Sequence, residues 1–155
     1  MTVQFASTES VDAAVSLAKQ GIKLPSNPDF AAPTIPSDLS DITDEELMEL
    51  YSQLVAYLDF VTVQLAVAET DERMGEKRLS RLQASKMGTV TEKTVSAAKA
   101  KVASDPDVVL VLEEVDALYA YRKLVEAVHQ NLDRNVSLAS RELTRRTTTG
   151  KRWSS

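Results

Sequence analysis

The chain has 155 residues, 43% of them apolar, a formal net charge of −5 and no cysteine. That length fits one domain whose core is thin if its helices are long. The lack of cysteine excludes disulfides, thiolate catalysis and cysteine-ligated zinc or iron–sulfur sites, and suits a reducing cytoplasm. The charge is segregated along the chain, at −8 over residues 1–60, +3 over 61–104, −4 over 105–132 and +4 over 133–155. An acidic front with a basic end can engage a polyanion locally while the whole stays soluble.

The first twenty residues contain acids and no basic segment followed by an apolar run, which argues against a secretory signal. A short amphipathic helix follows, with Ser10 as its cap, Val11, Ala14, Val15 and Ala18 as its apolar face and Gly21 as its stop. Pro25, Pro28, Pro33 and Pro36 then force extended or turn geometry, so residues 24–40 read as an arm that is mobile unless it packs on a neighbouring subunit. Thr43 or Asp41 caps a long helix with Asp44, Glu45 and Glu46 in its first turn, where the helix dipole favours acids.

The seam of this long helix is Leu47, Leu50, Leu54, Leu58 or Tyr57, Val61, Leu65 and Ala68, widened by Val55, Phe60, Val63 and Val67 to a second face. A two-helix hairpin leaves one of those faces wet, so a third helix from another copy is expected there. Residues 51–68 are the best membrane candidate, but Gln53, Asp59, Thr62 and Gln64 interrupt them, and a buried helix is expected with no membrane contact. From Glu69 the pattern turns polar. Arg73, Lys77 and Arg81 share one face there, and Gly88 marks a break.

Thr91 can cap a shorter helix through Val95, Ala98 and Val102. Asp105 followed by Pro106 is the strongest helix start in the chain, a cap with proline at the first helical position. From there Val108, Val111, Val115, Leu118, Val125, Leu132, Val136, Ala139 and Leu143 repeat at three- and four-residue steps, a heptad that demands a covering helix. This helix is expected to reach about Arg146, with disorder after it through Thr147, Thr148, Thr149 and Gly150. The fold expected is therefore all-α, a long helical hairpin or coiled-coil-like bundle. Residues 1–40 form its short helix and extended proline-rich arm, 41–146 its helical oligomerisation domain and 147–155 a flexible basic tail.

Assembly between copies is expected through Leu54, Leu58, Val61 and Leu65 of the first long helix and Val115, Leu118, Val125 and Leu132 of the second. Arg122 and His129 are polar members of the second seam, one heptad apart, where such residues set register or subunit number at some cost in stability. His129 is the only histidine and lacks a second ligand at metal-helix spacing, so no metal site is expected. Glu113, Glu114, Asp116 and Glu126 read as a solvated face rather than paired acid and base. With no phosphate loop, nucleophile elbow or Ser/His/Asp set, neither catalysis nor a cofactor is expected.

The basic end carries the functional expectation. Arg134, Arg141 and Arg145 share roughly one helical face, Arg146, Lys151 and Arg152 follow, and Trp153 offers a flat ring. Single-stranded nucleic acid is held by this combination of phosphate neutralisation and base stacking. Arg73, Lys77 and Arg81 form a second, weaker set.

A long helix, a basic middle, a D-P-x-V start at 105–108 and a terminal S-R-E-L-T-R-R at 140–146 together resemble the UvsY-like recombination mediators, small helical proteins of tailed phages. The likeness spans about residues 44–146; the acidic front and proline-rich arm depart from the family pattern. The resemblance implies a ring-like homo-oligomer that binds single-stranded DNA and helps a recombinase displace single-strand-binding protein. The alternative is a phage scaffold or connector component that holds other proteins together and ignores nucleic acid.

Overall fold

The computed structural model describes residues 7–152 along the backbone and 7–148 in side-chain detail. Among the described residues there are four α-helices and no strand: α1 Thr8–Lys19, α2 Asp44–Thr89, α3 Val95–Ala103 and α4 Pro106–Arg152, with a 3₁₀ turn at Leu39–Asp41. At 1.5 Å per residue, α2 and α4 are each about 70 Å long. They run antiparallel and pack on each other: Arg146 of α4 pairs with Asp44 at the start of α2, and Lys86 near the end of α2 pairs with Asp105 and Asp107 at the start of α4.

The helix starts follow local chemistry. Thr43 and Glu46 form a reciprocal capping box, the Thr43 hydroxyl accepting from the Glu46 amide at 3.2 Å and the Glu46 carboxylate from the Thr43 amide at 2.8 Å. At the start of α4 the Asp105 carboxylate accepts from the Asp107 amide at 3.0 Å while Pro106 occupies the position that needs no donor. α3 is capped by Thr94 rather than Thr91, because the Thr94 hydroxyl is the one within reach of the Ala97 amide. α2 runs through Gly88 to Thr89, so that glycine does not break it.

The core is a cluster of Leu47, Leu54 and Val61 from α2 with Leu132 and Ala139 from α4, flanked by Leu58, Val125, Val136 and Leu143. Val108, Val115, Ala98 and Val102 are buried toward the other end. Gly75 is buried against α4: a Cβ there would lie 3.0 Å from Leu118 Cδ1 and 3.3 Å from Val115 Cγ2. The glycine leaves room for the Leu118 and Val115 side chains of α4.

The proline-rich segment lies on its own chain. The Phe30 carbonyl accepts from the Tyr57 hydroxyl, their rings meet edge-on at 5.5 Å, and Ile35, Leu39 and Ile42 pack against the core cluster. The prolines supply reach: seventeen extended residues, 22–38, cover about 50 Å, and the stretch of α2 between Asp71, where α1 docks, and Asp44 is about 40 Å. The arm, expected to be mobile unless it packs on a neighbouring subunit, packs instead on its own chain as an intramolecular strap.

α1 also differs from expectation. Its cap is Ser7, whose side chain accepts from the Ser10 amide, and Ser10 is buried against α2 instead of capping. Val11 and Val15 stay exposed. Polar ties outrank the apolar face here because Asp71, 5% exposed, accepts from the Ser7 amide and from both serine hydroxyls, and a buried carboxylate must be hydrogen-bonded. Gly21, with φ at +79°, ends α1: its amide donates to the Ala18 carbonyl and that of Ile22 to Leu17, a Schellman closure.

α2 contains an 18-residue window of mean hydropathy 1.3, long and apolar enough by composition alone to cross a membrane.

Candidate nucleic-acid interface

The arginines at the end of α4 divide into two pairs with opposite environments. Arg146 faces inward, its side chain only 16% exposed. Its guanidinium donates to Glu142 at 2.8 Å, to Asp44 at 2.6 Å, and to the Leu39 and Ile42 carbonyls at 2.7 and 2.9 Å. A planar fork with five donors is suited to such a convergence. Arg146 therefore closes the strap and the first turn of α2 onto α4, and its guanidinium is taken up by these acceptors.

Arg145 grips Glu142 with two bonds, at 2.7 and 2.6 Å. Hydrogen bonds from Arg145 and Arg146 hold the Glu142 carboxyl down at about 2, so this acid stays ionised and offsets part of the basic tail. Arg134 and Arg141 have the contrary environment. Both are exposed, seven residues apart on the side of α4 turned away from α2, and neither forms an ion pair among the described residues.

The helix does not end at Arg146 but continues to Arg152. The Thr147 and Thr148 hydroxyls donate to the Thr144 carbonyl at 3.0 and 2.8 Å, and extending a formed helix costs far less than starting one, so poor propensity at four positions is overridden. Lys151 and Arg152 thus follow on a helix instead of a flexible tail, with their side chains outside the described set. Trp153 lies outside the described residues.

The second basic set stands apart. The Arg78–Glu114 ion pair places this stretch of α2 beside residue 114 of α4, about 40 Å along the helix from Arg141. Arg73 lies among Glu69, Glu72 and Glu76, which disfavours a phosphate there. Lys77 and Arg81 line a cleft of about 820 Å³ with Ser7, Glu9, Asp71 and Glu114. Mixed charge makes this second set a poor strand track, and the fold does not join it to the tail.

The residues expected to join copies are consumed within the chain. Leu54, Val61 and Leu132 share the intramolecular cluster, with Leu58 and Val125 against it, while Val115 and Leu118 meet Gly75; Leu65 is half-buried on the same helix pair. Arg122 pairs with Glu72 across the two helices and with Glu126 one turn on, its guanidinium 5.2 Å from the Tyr119 ring. Thr62 gives its hydroxyl proton to the Leu58 carbonyl at 2.7 Å, so its oxygen accepts from His129 Nε2–H at 3.1 Å. Both polar seam residues therefore set the register of α2 against α4 inside one chain.

Sequence reasoning passes over Glu142, Asp44, Asp71 and Glu72 as partners. Glu142 is visible in the sequence, three and four residues before Arg145 and Arg146; the others are brought by folding from 50 or more residues away. No known family, no curated protein and no solved structure matches this chain.

Proposed function

We propose that the chain is a non-enzymatic helical protein that binds single-stranded DNA and acts as a recombination mediator, several copies gathering on one strand and helping to load a recombinase. The observation that supports this most directly is the exposed Arg134 and Arg141 pair, unengaged by acids among the described residues, on a helix that continues toward Lys151 and Arg152. Two guanidinium groups on one line of a rigid helix neutralise backbone phosphates without reading sequence. The coiled-coil-like hairpin of α2 and α4, with its strap, serves as the rod that presents them. Repeated copies supply the avidity that one weakly basic end lacks.

The test is fluorescence anisotropy with labelled oligo-dT at several salt concentrations. Changing Arg134 and Arg141 together to alanine should weaken binding and flatten the salt dependence by about 1.4 in log–log slope, because two phosphates then keep their counterions. The Arg145→Ala variant should change affinity less, because it also releases Glu142. Unaltered affinity in the double variant rejects this reading in favour of a scaffold or connector role.

A further inference from the structure

α4 carries a second row of apolar side chains that remains exposed among the described residues. Leu110, Ala117, Tyr121, Leu124, Val128 and Leu138 lie on the three-and-four rhythm of a heptad, rotated about 100° from the seam that faces α2. Leu110 is 58% exposed, Tyr121 48%, Leu124 69%, Val128 49% and Leu138 42%. The stripe is about 40 Å long. Isolated surface leucines are ordinary, but five large apolar side chains exposed along one side of a helix, interrupted at Glu114, Asn131 and Asn135, mark an interaction surface.

We propose that this face docks a second copy of the same chain, with the two α4 helices antiparallel about a two-fold axis at Leu124. The face is self-complementary in charge. Between 106 and 121 the helix carries no base, and with Asp107 and Glu114 paired to Lys86 and Arg78 of α2 it presents Glu113 and Asp116, whereas from 134 onward it presents Arg134 and Arg141, which form no ion pair among the described residues. A face whose charge reverses about its own midpoint is its own partner when turned end for end, the requirement of a two-fold interface. Position 124 lies midway between 110 and 138, so the same operation sets Leu110 against Leu138 and brings Glu113 toward Arg134 of the other copy. A parallel pairing would oppose acid to acid and arginine to arginine, a repulsion that disfavours it.

The contact covers on the order of 1,000 Å² in total, at the lower edge of specific interfaces, so the dimer is concentration-dependent. Arg141 lies beyond the end of the stripe and is left for a strand, while Arg134 is shared between the two uses. This inference deepens the proposed function by naming how copies meet, yet its readout is mass, which DNA does not enter.

Sedimentation velocity on the full chain over a range of concentration, without nucleic acid, should show monomer passing to dimer. Leu124→Glu, which sets two like charges at the axis, should hold the chain monomeric with unchanged helical circular dichroism, since Leu124 lies outside the core. Orientation is read by cysteine crosslinking in this cysteine-free chain. Leu124→Cys should form a covalent dimer with itself under mild oxidation; Leu110→Cys should not, but should crosslink to Leu138→Cys when the two variants are mixed. A wild-type monomer at every concentration, a dimer indifferent to Leu124→Glu, or self-crosslinking through position 110 overturns the proposal. Arg141→Ala should lower oligonucleotide affinity and leave the mass alone, so failure of DNA binding and failure of docking are told apart.

Discussion

Near the start of α2 the two long helices meet through aliphatic side chains, Leu47, Leu54 and Val61 against Leu132 and Ala139, with the strap laid over them and Arg146 closing the end. Around residues 71–75 they meet through a glycine and ionic or hydrogen-bonded pairs: Gly75 under Leu118, Glu72 with Arg122, and Asp71 holding α1. The first region has adhesion roughly in proportion to the apolar area it hides and little geometric demand. The second has close approach and specific pairing, which add register more than adhesion. One helix pair thus uses packing for stability at one end and polar contacts for alignment further along.

That contrast can be broken at graded cost. Leu54→Ala, at a fully buried position, should cost about 2–5 kcal/mol of stability in a urea titration followed by circular dichroism. Gly75→Leu should cost about 1–3 kcal/mol by overpacking against Leu118 and Val115, and should shift α4 without unfolding the apolar end. Arg146→Ala should destabilise less than Leu54→Ala, since the freed Leu39 and Ile42 carbonyls can reach water; its mark should be faster hydrogen exchange over residues 39–47.

Glu142 is held at about 2, below its ordinary value of 4.5, so its ion pairs contribute stability that is whole above about 4.5 and lost as pH falls toward 2. The denaturation midpoint of the native chain should therefore drop through that window, and Glu142→Gln should reduce the drop. A residual slope should persist from Glu46 and Asp105, which hydrogen bonds also hold below their ordinary values, in Glu46 from the Thr43 amide and in Asp105 from Lys86. The smallest effect expected is a gain: Gln64 has a buried Nε2 without a partner among the described residues, and Gln64→Leu should raise stability by about 1 kcal/mol.

Within the candidate interface, the exposed positions of Arg134 and Arg141 follow from heptad counting, because residues two beyond a seam position point away from the partner helix. The withdrawal of Arg146 does not follow from any local pattern. Its partners Asp44, Leu39 and Ile42 are more than 100 residues distant, and only the antiparallel return of α4 brings them within reach. A separation of 61 residues likewise hides Asp71 from Ser10, so local reasoning gives α1 the wrong cap and the wrong buried face.

By itself the order of residues determined the helices, since a 3.5-residue apolar period, the Thr43–Glu46 box, the Asp105–Pro106 start and Gly21 at a helix end are local chemistry that any surroundings preserve. Whose helix would cover each stripe was decided only in three dimensions. A heptad states that a face must be hidden but not by what, and here the inner stripe of α4 closes on its own α2 while the outer one stays exposed among the described residues. The strap and the arginine clamp belong to that second kind of information, because their free energy comes from contacts that exist only after the long helices have aligned.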